Sequence, residues 1–182
     1  LPSFERDLHK ELLKYLSHKQ ILAIVGLRRV GKTIIMKQLI QKLNLKKNNI
    51  CYISFDDIDF QTYTIAEDLI NYFLEYSDKH TMRYLFLDEI QKLPNWPDLI
   101  KTIYDTDENI KIIISGSASL DLQRYKETLA GRILTFHLPV LTFTEYLRYH
   151  AMPHTLTSND IIHEYDVTFA EKKERYQELF NT

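Results

Sequence analysis

Two periods alternate along this chain. Short, nearly unbroken apolar runs at 21–25, 50–55, 83–87, 109–114 and 133–138 have the length and composition of buried strands. Between them the apolar positions recur at helical spacing. Phe4, Leu8, Leu12 and Leu16 mark a first helix, and 32–43, 65–76, 96–105, 119–130 and 142–150 read as further ones, with Pro97 near the first turn of its helix. Continuous apolar strands alternating with amphipathic helices predict an α/β fold whose parallel sheet is covered on both faces. Residues 151–167 read as irregular. A last helix opens on the capping-box pattern Thr168-x-x-Glu171, with Phe169, Tyr176 and Phe180 on one stripe.

The turn after the first strand carries the strongest chemical signal. Gly26-Leu27-Arg28-Arg29-Val30-Gly31-Lys32-Thr33 fits G-x-x-x-x-G-K-[ST], between a predicted strand and a predicted helix. Glycines let backbone N–H groups turn around phosphate oxygens. The Lys32 ammonium then faces the β/γ charge, the Thr33 hydroxyl reaches a Mg²⁺ ion, and the helix N-terminus faces the anion. Gly26, Leu27, Arg28, Arg29, Val30, Gly31, Lys32, Thr33 and Ile34 form the candidate nucleotide-binding set. Of the chain's 4 glycines two lie here, and Gly116 and Gly131 fall beside the next candidates.

The third strand runs into Asp88-Glu89. An acid at the C-terminal end of a buried strand suits Mg²⁺, so Asp88 joins Thr33 as a candidate metal residue. Glu89 can orient and polarise a water, which favours hydrolysis over transfer. The competing reading is that both acids cap the next helix. The fourth strand ends Ser115-Gly116-Ser117, where Ser115, ahead of Ser117, can bond the attacking water or the γ-phosphate. Ser117 or Ser119 as a helix cap is the alternative.

Composition narrows the rest. With 182 residues the chain suits one domain and a small appendage. A net charge of -2 argues against a dominant nucleic-acid surface. The single Cys51 cannot form an internal disulfide, no apolar run spans a bilayer, and the first residues are not signal-like, so no membrane insertion and a cytoplasmic location are expected. Leu1 and Thr182 are candidate fragment edges. The scattered histidines, His150 and His154 included, assemble no zinc ligand set.

Four segments in order, Gly-Leu-Arg-Arg-x-Gly-Lys-Thr, Leu-Phe-Leu-Asp-Glu-Ile-Gln-Lys-Leu-Pro-x-Trp, Ser-Gly-Ser-Ala-Ser and Leu-Ala-Gly-Arg, resemble a family of predicted prokaryotic ATPases of the AAA superfamily. The similarity covers roughly residues 8–147. It implies a three-layer P-loop NTPase of the additional-strand, catalytic-glutamate type, with five parallel strands in the order 5-1-4-3-2. It also implies ATP or ADP as nucleotide, Mg²⁺ as cofactor and Glu89 as the base for water. Arg132 matches the family's Gly-Arg position and is a candidate to stabilise γ-phosphate charge, in cis or from a neighbouring subunit; a structural Arg after a helix ending at Gly131 is the equal alternative. Trp96 is expected to pack rather than to stack on a base; Asp56 and Asp57 end a strand on the side where ligands bind, with capping or solvation as the equal alternative.

On this reading residues 1–150 form the ATPase core, and 151–182 a helical extension or the start of a further domain. The expected function is Mg²⁺-dependent ATP hydrolysis coupled to a conformational change, slow without activation by self-association or by a DNA or protein partner. A nucleotide-gated binding switch with negligible turnover is the alternative. A small-molecule kinase is disfavoured by the acidic pair and by the lack of an evident lid.

Overall fold

The computed structural model describes residues 4–45, 47–117 and 128–150. The chain divides into two compact units, Leu1–Val140 and Leu141–Thr182. In the first, α1 (Asp7–Tyr15), β1 (Ile21–Gly26), α2 (Lys32–Leu43), β2 (Ile50–Ser54), α3 (Tyr63–Tyr76), β3 (Arg83–Asp88), α4 (Trp96–Thr106), β4 (Ile110–Ser117) and β5 (Ile133–His137) follow one another. The second contributes α5 (Phe143–Tyr149), closed at its N-terminus by a Thr142–Glu145 capping box.

The sheet has five strands in the order β2-β3-β4-β1-β5, all parallel. That is the expected order. Strand parity explains the layers. Ala23, Ile53, Leu85, Leu87, Ile112 and Ile114 point to the face covered by α3 and α4. Leu22, Ile24, Phe86, Ile113 and Phe136 point to the face covered by α1 and α2. Each central strand is buried along its length, which is why it reads as an unbroken apolar run. Tyr52, Asp88 and Ser115 share the parity of the α1/α2 face, so all three meet at its C-terminal edge.

Two boundaries differ from expectation for local reasons. The first helix begins at Asp7 rather than Phe4, because the preceding residues serve the loop after β1. The Phe4 carbonyl accepts from Gln38 at 2.7 Å, and the Arg6 guanidinium donates to Val30 O and Pro139 O, each at 2.8 Å. The fourth strand continues through Ser117, since Ser115 to Ser117 pair with Ile24 to Gly26 of β1. The helix expected at 119–130 lies outside the described residues except for 128–130, which form a turn. The predicted segments beyond residue 150 also lie outside them.

Lys111, the second residue of β4, lies inside the core. It is 1% exposed, and its ammonium donates to the carbonyls of His18, at 2.6 Å, and Gln20, fastening the turn before β1. Burial pushes its pKa down to about 8. Above that value the folded chain has released a proton that the unfolded chain holds up to about 10.4, so this residue's contribution to stability rises with pH across that window. The urea midpoint of the parent is therefore expected to climb between about pH 8 and pH 10 relative to that of Lys111→Met. Parallel pH profiles would refute the assignment.

Candidate functional site

The loop between β1 and α2 is built by two glycines with different tasks. A Cβ on Gly26 would lie 2.4 Å from the Leu138 carbonyl oxygen, so the strand end fits there only without a side chain. Gly31 has φ +102° and precedes the first helical residue, where an L side chain is strained. Arg29 also takes the left-handed conformation, at φ 64°. Leu27, Arg28 and Arg29 form the exposed crest. Behind them Arg6, 6% exposed, ties Val30 to Pro139 and Val140 and backs the loop against the exit of β5. Gly26→Ala is expected to lower stability by about 1–3 kcal/mol, since backbone rather than a side-chain tip must yield. An unchanged denaturation midpoint would count against this packing.

Lys32, the first residue of α2, is 4% exposed. Its ammonium donates to Gly26 O at 3.3 Å and Leu27 O at 3.1 Å and pairs with Glu89 Oε1 at 3.3 Å. The same loop thus holds its lysine against its own carbonyls and the acid that follows β3.

Asp88 ends β3 and is 1% exposed. Its Oδ2 accepts from Thr33 Oγ1 at 2.6 Å and from the Tyr52 hydroxyl at 2.9 Å, and its Oδ1 accepts from Ser115. Three hydroxyl donors thus satisfy the oxygens of a buried carboxylate. Burial and the adjacent Asp88 carboxylate drive the Tyr52 pKa well above the ordinary phenol value. Thr33 and Asp88 together present hard oxygen donors from two elements. That donor set fits Mg²⁺, which is held by one or two protein oxygens together with substrate phosphates. Among the described residues no group of three or more His, Cys, Asp or Glu could hold a metal ion.

Glu89 follows with φ 53°, a left-handed conformation rare for a residue with a side chain. It occupies the cap position of a short 3₁₀ turn, yet its side chain caps nothing there. Instead its carboxylate faces Lys32 and accepts from Gln91 Nε2 at 2.6 Å. Ser115 joins the two acids: its hydroxyl donates to Asp88 and accepts the Glu89 backbone N–H at 3.0 Å. Helix capping is therefore not what the Asp-Glu pair does.

The structure thus brings Lys32, Thr33, Asp88, Glu89 and Ser115 to one edge of the sheet. Arg132 is not among them. Its carbonyl accepts from Ile21 at the start of β1, so it sits at the other end of the strands, about 17 Å from the loop at ~3.3 Å per residue. Its guanidinium is bidentate on Asp105, at 2.9 and 3.1 Å. The expectation that it acts on phosphate in cis is corrected: Gly131, at φ +75°, turns the chain into β5 and leaves Arg132 in a structural ion pair. Asp56 pairs with Lys92 and Asp57 accepts from Asp59 N–H, which accounts for both acids. Trp96 is 2% exposed within the core between the sheet and α4.

Sequence reasoning missed Tyr52, Gln91 and Arg6. Tyr52 looked like one more apolar strand residue, and only the β2–β3 register, Ser54 beside Asp88, brings its hydroxyl within reach.

Comparison with known proteins agrees with the geometry. A family model described as an AAA domain matches residues 18–147. Two uncharacterised proteins of Methanocaldococcus jannaschii are each 35% identical to this chain, over 156 and 147 residues; the matches take in 79% of it and 32% and 31% of their own lengths. A Haemophilus influenzae protein is 27% identical over 143 residues, 76% of this chain and 36% of its own. The chain spans about a third of the length of these curated relatives. Among solved structures, the Walker-type ATPase of Pyrococcus abyssi matches with a TM-score of 0.57 at 14% identity, over 90% of this chain and 63% of that one. PCH-2 of C. elegans matches with a TM-score of 0.57 at 15% identity, over 80% and 46%. At such identities these two likenesses establish the fold, that of a P-loop NTPase.

Proposed function

The chain belongs to the AAA-domain family, and on that premise we propose that it binds ATP at the C-terminal edge of the sheet and hydrolyses it with Mg²⁺. The observation that carries this reading is the meeting of Lys32, Thr33, Asp88, Glu89 and Ser115 within hydrogen-bond or ion-pair reach of one another. The loop N–H groups and the α2 N-terminus bind the phosphates. A γ-phosphate offers Lys32 a stronger acceptor than the Gly26 and Leu27 carbonyls, and drawing the ammonium forward takes it from Glu89. Thr33 and Asp88 would hold Mg²⁺, whose charge offsets that of the β- and γ-phosphate oxygens. Glu89, still steadied by Gln91, then accepts a proton from the water whose oxygen attacks the γ-phosphorus, and ADP leaves. Ser115 fixes the two acids relative to each other.

The tether of Glu89 to Lys32 and Gln91 also favours a second reading, a nucleotide-gated binding switch with negligible turnover. Coupling of hydrolysis to a conformational change on a protein or DNA partner, activation by self-association, and a cytoplasmic setting belong to the main proposal. Arg132 does not. No helix among the described residues is long and apolar enough to cross a membrane.

The test is phosphate release from MgATP over a wide range of protein concentration. Slow, Mg²⁺-dependent release whose specific rate rises with concentration is the expected result. Tight nucleotide binding without release at any concentration would leave the switch, and neither binding nor release would overturn both readings.

A further inference from the structure

Two of the three hydroxyls on Asp88, those of Thr33 and Ser115, already have places in the proposed chemistry. The third has none. Tyr52 comes from β2, where it pairs in register with Phe86, two residues before Asp88 on the neighbouring strand. Its ring packs in the α1/α2-side core beside Phe86, and its hydroxyl reaches along the sheet to Asp88 Oδ2, the same oxygen that Thr33 engages. The Lys37 ammonium, one helical turn beyond Thr33, lies 5.8 Å from the centre of the Tyr52 ring. A single phenol therefore links β2, β3 and α2 at the carboxylate oxygen facing the candidate metal position.

We propose that Tyr52 is a positioning residue for the divalent cation, acting through Asp88. The inference rests on the ATPase reading for the presence of Mg²⁺, but not on the rate of hydrolysis. A carboxylate bonded only by Thr33 and Ser115 can swing about its terminal torsion when a cation draws Thr33 away from it. The Tyr52 O–H donor remains on Oδ2 and holds the acid toward Thr33. Groups that orient metal-ligating side chains in this way typically change metal affinity by about 10–100-fold when removed. Phenylalanine fills the same volume without the donor, so its loss is felt at the cation and not in the packing.

The experiment is a Mg²⁺ titration of the binding of a fluorescent ATP analogue to the parent, Tyr52→Phe and Tyr84→Phe, with affinity in EDTA measured alongside. Tyr84 is the control: a largely buried phenol in the same core, four residues and about 13 Å from Asp88 along β3. Tyr52→Phe should need about tenfold more Mg²⁺ for half-maximal binding, with affinity in EDTA unchanged and Tyr84→Phe following the parent. An unshifted Mg²⁺ midpoint in a folded Tyr52→Phe overturns the proposal, as does an equal loss of affinity with and without Mg²⁺, which marks packing alone. A double-mutant cycle adds an independent readout: in an Asp88→Asn background the Tyr52→Phe shift should vanish, and a full shift there sinks the proposal. If the parent binds nucleotide with no Mg²⁺ dependence, the metal part of the ATPase reading fails as well, an outcome distinct from a failure at Tyr52 alone.

Discussion

Glu89→Gln is expected to reduce ATP turnover by about 10²–10⁴-fold, the usual contribution of a positioned general base, while ATP remains bound. Glutamine keeps the size and shape of the side chain but neither its charge nor its ability to take a proton from water. The same change removes the negative partner of Lys32, which sits 3.3 Å from the carboxylate. The ammonium is then free for phosphate without first leaving an acid, so binding should hold or tighten. Phosphate release and equilibrium binding, measured on the same preparation, separate the two effects. Turnover equal to the parent's would remove Glu89 from the mechanism, and loss of binding would mean that its role is structural.

Lys32→Ala acts on the other half of the pair. The ammonium is almost wholly buried, with two loop carbonyls and Glu89 around it. Truncating one partner of a buried, hydrogen-bonded charge pair costs about 2–5 kcal/mol, so ATP affinity is expected to fall about 30-fold or more. Without the lysine, Glu89 also faces the incoming phosphates with its charge unopposed, which adds repulsion to lost attraction. Equilibrium titration with a fluorescent nucleotide reads this directly, with the unfolding midpoint showing that the chain still folds. Affinity close to the parent's would mean that the phosphates lie elsewhere.

The two substitutions pull in opposite directions on one ion pair, and this separates a catalytic acid from a merely structural one. If the Lys32–Glu89 contact only stabilised the fold, both variants would lower the unfolding midpoint and shift binding alike. On the proposed mechanism they diverge. Glu89→Gln retains ligand and loses chemistry, and Lys32→Ala loses ligand.

Much of this site was legible in the chain because its chemistry is local. The loop pattern needs only eight consecutive residues, and Asp88-Glu89 announces itself by following an apolar run. Five strands were legible for the same reason, each central one being buried on both faces. Long-range placement was not legible. Arg132 follows a glycine and precedes a strand, which suits either a phosphate contact or a turn; only its position beside Ile21, at the start of the parallel strands, takes it away from the phosphate loop of its own chain. Tyr52 has an apolar neighbourhood in sequence and a polar destination in space. Arg6 lies well before the loop it supports, and no helical or strand period links it to Val30 and Pro139. Gln91 is two residues from Glu89, yet its bond depends on the left-handed turn at Glu89, which a residue with a side chain seldom adopts.

The most direct test is a single-turnover reaction, with protein in excess over γ-labelled ATP and Mg²⁺ present, comparing the parent with Glu89→Gln. Excess protein commits every bound nucleotide to one round of chemistry and detects even a slow enzyme. The parent is expected to convert its bound ATP to ADP and phosphate, whereas Glu89→Gln holds ATP intact over the same time. ATP held unhydrolysed by both proteins, or hydrolysed equally by both, would contradict the proposed mechanism.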